Sequence, residues 1–141
     1  MHLSRDAHAI NAVVNDPDVR PFVGLPDAGF LDITPLVERR EHLFPFGEHG
    51  GFALLWSGPG AREVHTFIRK SGRGRWARDA ARDGIALAVE NGTTLLWTRI
   101  PDDQPNVRAY AVGMGMKPTG EVFEYFGKNC AIYAMGCGSC Q

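Results

Sequence analysis

Apolar residues recur at helical spacing at Ala7, Ile10 and Val14, with Ser4 and Asp6 ahead of them and Asn15-Asp16-Pro17 behind. That pattern predicts a short helix capped by Ser4, because a serine side chain accepts a hydrogen bond from an unpaired N–H of the first turn. Residues 17–39 hold four of the nine prolines and read as loop, with a short strand around Leu31 to Ile33. From residue 42 the apolar positions come in runs broken by Glu-His-Gly-Gly and Ser-Gly-Pro-Gly, which predicts antiparallel strands over 42–46, 51–57 and 62–68. In the last of these Glu63, His65 and Phe67 alternate with Val64, Thr66 and Ile68, so Glu63 and His65 share a face.

Helical periodicity returns at Arg75. Trp76, Ala77, Ala80, Ala81, Gly84, Leu87 and Ala88 form one stripe, Arg78, Asp79, Arg82 and Asp83 lie largely off it, and Asn91-Gly92 supplies a stop. Thr-Thr-Leu-Leu-Trp-Thr-Arg-Ile is then a buried strand ended by Pro101, Asp102 to Asn106 opens a helix running through Val112, and 115–135 reads as a hairpin turning at Gly127-Lys128-Asn129. Helix, strands, helix, strand, helix and two strands make an α/β domain with a mixed, mostly antiparallel central sheet and flanking helices.

A chain of 141 residues is expected to form one domain over 1–141, with 136–141 as a flexible tail. The net charge of −1 argues against a globally basic nucleic-acid binder, and no apolar run reaches the roughly 18 residues of a membrane span. The opening residues also lack the apolar core of a secretion signal, so the expected compartment is the cytoplasm. Cys130, Cys137 and Cys140 are too few and too close for a disulfide framework. Cys-Gly-Ser-Cys has the spacing of half a metal site or of a redox pair, but no second such pair exists to complete it, and no metal is expected.

The strongest local chemistry lies between the third predicted strand and the long helix. Gly72 and Gly74 sit in that corner among Arg69, Lys70, Arg73 and Arg75. A glycine-rich turn at a helix N-terminus frees N–H groups where the helix dipole is positive, which suits phosphate. The same residues also suit a tight turn with a solvated charged face. Asp79 and Asp83 interrupt the basic run and no interleaved aromatics follow, which disfavours nucleic acid.

Arg-Lys-Ser-Gly-Arg-Gly, residues 69–74, followed by Asn106, Ala109 and Gly115-Met116, resembles the GNAT superfamily of N-acetyltransferases, whose phosphate corner reads Arg/Gln-x-x-Gly-x-Gly/Ala. The resemblance covers roughly residues 50 to 125. Within the superfamily, residues 62–77 followed by 106–117 resemble a small phage-encoded branch that includes internal virion proteins of short-tailed phages. Two readings follow: an enzyme moving an acetyl group from acetyl-CoA to a primary amine of a small molecule or protein, or a GNAT fold without transferase activity serving in assembly, in a phage particle. A homodimer is compatible with either.

The resemblance implies that the strand before the corner bulges and splays from its neighbour to admit the pantetheine arm. It places the pyrophosphate on backbone N–H groups of Gly72, Arg73, Gly74 and Arg75, with Arg69 and the other arginines adding charge. A strand N–H near Phe67 or Ile68 serves as oxyanion donor, Asn106 either bonds the cofactor arm or caps its helix, and Glu63 or His65 relays the proton. The acid tyrosine of the family falls on Ala111 or Gly113, with Tyr110 near but out of register. His42 and His49, flanking Phe-Pro-Phe-Gly, are candidates for the acceptor side.

Overall fold

The computed structural model describes residues 1–24, 29–125 and 127–138. One seven-stranded sheet organises them: β1 (His2–Leu3), β2 (Pro45–Gly47), β3 (Gly50–Gly58), β4 (Ala61–Ile68), β5 (Leu95–Pro101), β6 (Lys117–Tyr125) and β7 (Lys128–Gly136). The order across the sheet is β1-β2-β3-β4-β5-β7-β6, and every pairing is antiparallel except β4 with β5. The four α-helices are α1 (Ala7–Val14), α2 (Thr34–Val37), α3 (Arg75–Glu90) and α4 (Pro105–Met114). The mixed, mostly antiparallel α/β architecture expected from the periodicities is the one found.

Both faces of the sheet are covered. On one, Phe52, Leu54, Val64, Ile68, Leu96 and Ile100 pack against the alanines of α3. On the other, Ile10, Val13 and Val14 of α1 meet Phe44, Phe46, Ala53 and Phe67. Small residues let α3 lie close to the strands: a Cβ on Gly84 would stand 3.2 Å from two ring carbons of Phe52.

Several boundaries differ from the sequence expectation. Asp6, not Ser4, caps α1, accepting from the Ala9 N–H, while the Ser4 hydroxyl accepts from the Asp6 N–H ahead of the helix. Residues 31–33 form no strand. The Asn15 side chain takes both the N–H and the C=O of Leu31, and Asn11 takes the Ile33 N–H, so α1 supplies the partners a neighbouring strand would have supplied. The strand expected from residue 42 begins at Pro45, with Leu43 making an isolated bridge to Leu54. In the last hairpin Tyr125 faces Lys128, so Lys128 and Asn129 belong to β7 and not to the turn. Gly127, at φ 76°, supplies the left-handed position there.

The feature that shapes the site is the short contact between β4 and β5. They pair only at Ala61 with Leu95, Arg62 with Leu96 and Glu63 with Trp97. β4 continues to Ile68 against β3, and β5 continues to Pro101 against β7. Beyond Glu63 the two strands part.

Candidate active site in the gap between β4 and β5

A cavity of about 380 Å³ occupies that gap, walled by Val64, Thr66, Thr98 and Pro101 along the strands. It opens toward α1 and α2, where Phe22, Val23, Leu31 and Leu36 line it, and toward α4, where Gln104 and Val107 do. β4 needs no bulge to open it, since its register with β3 is unbroken from Arg62 to Ile68. The expected splay is therefore present without the expected irregularity.

Backbone parity decides which groups face the gap. The Gly60 carbonyl accepts from Leu95 N–H and the Val64 carbonyl accepts from the Thr98 hydroxyl, so even-numbered residues turn their backbone toward β5. The Arg69 N–H reaches the His49 carbonyl on the opposite side. Alternation along an extended strand then gives the N–H groups of Thr66 and Ile68 to the gap and that of Phe67 to β3. Of the two candidate donors only Ile68 faces the gap, although the Phe67 side chain lines the cavity.

Glu63 and His65 stand together on the α1 side of β4, as their alternation requires. His65 Nε2 lies 3.2 Å from Glu63 Oε1. Sequence reasoning missed the third member, Arg99 of β5, whose Nε is 2.8 Å from Glu63 Oε2 and whose Nη2 is 3.2 Å from Oε1. Burial pushes the Glu63 carboxyl up, but His65 and Arg99 outweigh it and hold the group below the usual glutamate range. The Arg99 guanidinium is itself stacked, 4.6 Å from the Tyr125 ring centre and 5.6 Å from that of Trp97. The available signal was one arginine inside an otherwise apolar strand.

The phosphate corner divides into two parts. Lys70–Gly72 form a 3₁₀ turn in which the Gly72 N–H donates to Arg69 and the Arg73 N–H to Lys70, so these two expected phosphate donors are engaged. Gly72 is buried beneath His49, where a Cβ would come within 2.4 Å of the His49 Cβ. Gly74 instead stands at φ 101° with open space at its Cβ position, and it begins α3 without a side-chain cap. The first helical bond runs from Arg78 N–H to Gly74 C=O, which leaves the N–H groups of Arg75, Trp76 and Ala77 ahead of the ladder. Arg69 pairs with Asp16 at 3.2 Å and Arg73 donates to the Asp18 carbonyl at 2.8 Å, so both arginines hold the segment after α1.

Other candidates lie elsewhere. The Tyr110 hydroxyl donates to the Ala77 carbonyl at 2.6 Å, and burial drives its pKa far up, which fits a tie between α4 and α3 and not an acid in the cavity. Asn106 is exposed in the first turn of α4, whose N-cap is Gln104, so it does not cap the helix. His49 sits at the phosphate corner, its Nδ1 2.9 Å from the Ser71 hydroxyl, and His42 is buried with its Nδ1 accepting the Trp56 N–H; neither lines the cavity. Cys130 lines the cavity wall, and the Cys137 thiol donates to the Thr93 carbonyl. Cys140 lies outside the described residues, as do the other two of the last three residues of the expected tail.

No helix among the described residues is long and apolar enough to cross a membrane. No family model matches the chain, and no curated protein matches it. Solved structures do. They include an IAA acetyltransferase from Bacillus cereus ATCC 14579, 15% identical over 96% of this chain and 97% of that one with a TM-score of 0.64. A putative acetyltransferase of the GNAT family from Desulfovibrio desulfuricans is 14% identical over 96% of each chain with a TM-score of 0.70. The spermidine N-acetyltransferase from Vibrio cholerae, solved in complex with CoA and spermine, is 11% identical over 93% of this chain and 89% of that one with a TM-score of 0.68. At such identities the likeness is one of fold, and over nearly its whole length the chain has the α/β fold of the GNAT acetyltransferases.

Proposed function

We propose that the protein is an N-acyltransferase that uses acyl-CoA, with acetyl-CoA as donor, and acts on a primary amine. The observation that carries this reading is the parting of β4 and β5 after three residue pairs, which opens a cavity lined by the Glu63–His65 pair, while the chain leaves the far end of β4 for the uncapped start of α3. The residues present fit the donor in part. The N–H groups of Arg75, Trp76 and Ala77, the open face of Gly74 and the exposed Arg75 suit a pyrophosphate, while Thr66 and Ile68 offer N–H groups along the gap. Arg69, Gly72 and Arg73 contribute by building the corner.

Bound acyl-CoA would supply the thioester from which the acyl group passes to the amine. An amine attacks only when neutral, so the site must first remove a proton from the ammonium. His65 takes it in this reading. Glu63, kept ionised by Arg99, stands with its Oε1 3.2 Å from Nε2, which leaves Nδ1 for the proton. The Ile68 N–H faces the region where the carbonyl oxygen gains charge. With Tyr110 bonded to Ala77, the leaving thiolate takes its proton from solvent. The assembly reading rests on two sequence segments, and no side chain in the cavity adds to it.

Isothermal titration with acetyl-CoA and CoA tests the proposal, using wild type and Arg75→Glu. A glutamate in the first turn favours the helix by about 0.3–1 kcal/mol, so the fold is kept while the phosphate site changes sign. The expected result is saturable binding by wild type, weakened about tenfold or more in the variant. Absence of binding by wild type, or equal affinity in both, overturns the placement.

A further inference from the structure

β4 parts from β5 without a bulge, and the residues next in register show what holds the two strands apart. In this parallel ladder β4 carbonyls accept from β5 amides: the Leu95 N–H donates to the Gly60 carbonyl, and the pairing of Glu63 with Trp97 is the last. A ladder that ran on would set the Arg99 N–H on the Val64 carbonyl, then the Thr66 N–H on the Arg99 carbonyl, then the N–H of residue 101 on the Thr66 carbonyl. The first of these rungs is replaced. The Thr98 hydroxyl donates to the Val64 carbonyl at 3.0 Å, in the place of the Arg99 N–H. The third rung has no donor, because residue 101 is proline.

We propose, resting on the acyltransferase reading above, that Thr98 is a positioning residue for the acyl-CoA arm: its hydroxyl wedges β4 and β5 apart, and Pro101 keeps them from rejoining further along. Both residues line the cavity. Backbone that does not pair across the gap is left to a ligand lying in it as an added strand would. By the same parity, β5 turns its odd-numbered residues toward β4, so the Arg99 N–H and C=O face the Thr66 and Ile68 N–H groups across the opening. Threonine suits this post, since its branched side chain has few χ1 positions and holds the hydroxyl in place. Without the hydroxyl, the Val64 carbonyl would lose its donor in a buried stretch of wall, and the strand register offers it the Arg99 N–H instead. That rung would close the upper end of the gap.

Calorimetric titration with CoA, together with amide hydrogen exchange of the free protein followed by NMR, tests this in Thr98→Val, which exchanges the hydroxyl for a methyl, and Thr98→Ser, which keeps it. Thr98→Val should weaken CoA binding about tenfold and slow exchange of the Arg99 amide about tenfold, the size of effect one partly buried hydrogen bond gives. Thr98→Ser should rescue both, staying within about twofold of wild type because the donor is retained. Thr98→Ala gives the same comparison should the valine variant fold poorly. Unchanged Arg99 exchange in Thr98→Val, wild-type CoA affinity in that variant, or losses in Thr98→Ser as large as those in Thr98→Val overturn the proposal. Absence of CoA binding by wild type overturns the acyltransferase reading instead, and slowed Arg99 exchange in Thr98→Val would still support the wedge.

Discussion

His42 shows what a single buried ionisable side chain does to the molecule. It is 6% exposed, its Nδ1 accepts the Trp56 N–H at 3.0 Å, and its carbonyl accepts from Arg5. Burial lowers its pKa, with Arg39, Arg5 and Arg62 acting in the same direction and Glu41 opposing them. A proton on Nδ1 would also set two N–H groups against each other. The folded state therefore prefers neutral histidine, while the unfolded chain takes up a proton near pH 6.5. This contribution is complete above about pH 6.5 and is lost as the pH falls through the lower folded value. The melting temperature should drop between pH 7.5 and pH 5, and His42→Gln, which keeps an acceptor but does not titrate, should be less stable at pH 7.5 with a shallower slope. Thermal melts at the two pH values check this, and an unchanged slope would remove His42 as the cause. The depressed Glu63 carboxyl acts in a separate window: its stabilisation is present above its unfolded pKa, about 4.3, and lost below that as the pH falls.

At the scale of elements, the corner between β4 and α3 was legible as a glycine-rich turn opening a helix, and the helix itself ends at Asn91-Gly92 as the pattern predicts. The different duties of its two glycines were not legible. Gly72 packs against His49, which is far from it in sequence, whereas Gly74 meets nothing and serves through its positive φ. A side chain at Gly72 would therefore collide with His49. Gly72→Ala should destabilise the fold by about 1–3 kcal/mol, the usual cost of overpacking, and weaken acyl-CoA binding by disturbing the corner. Chemical denaturation of the variant measures the first; a stability equal to wild type would mean that His49 moves aside freely. Arg69 and Arg73 teach the same lesson, because Asp16 and Asp18 claim them from the other end of the chain.

Over the whole molecule the sheet joins two cores, one under α3 and α4 and one under α1 and α2. Phe52 fills the first and Phe44 the second, both fully buried. Truncation of either should cost about 3–5 kcal/mol, and because the strands are shared, each should lower one common transition. Fluorescence and circular dichroism melts of Phe52→Ala and Phe44→Ala check this: separate transitions by the two probes would show the faces unfolding independently. What the sequence by itself determined is local. Periods of 3.6 and 2, glycine and proline breaks and cap residues depend on neighbours a few positions apart, and they were enough for most helices and strands and for the side-by-side placement of Glu63 and His65. Only the tertiary structure decided that β7 lies between β5 and β6, that β4 and β5 part after Glu63, that Arg99 closes on Glu63 and that Tyr110 is bonded to Ala77. Strand order and polar partnership are settled by which apolar faces bury one another and which buried groups find a counterpart, and those choices join residues about 30 or more positions apart.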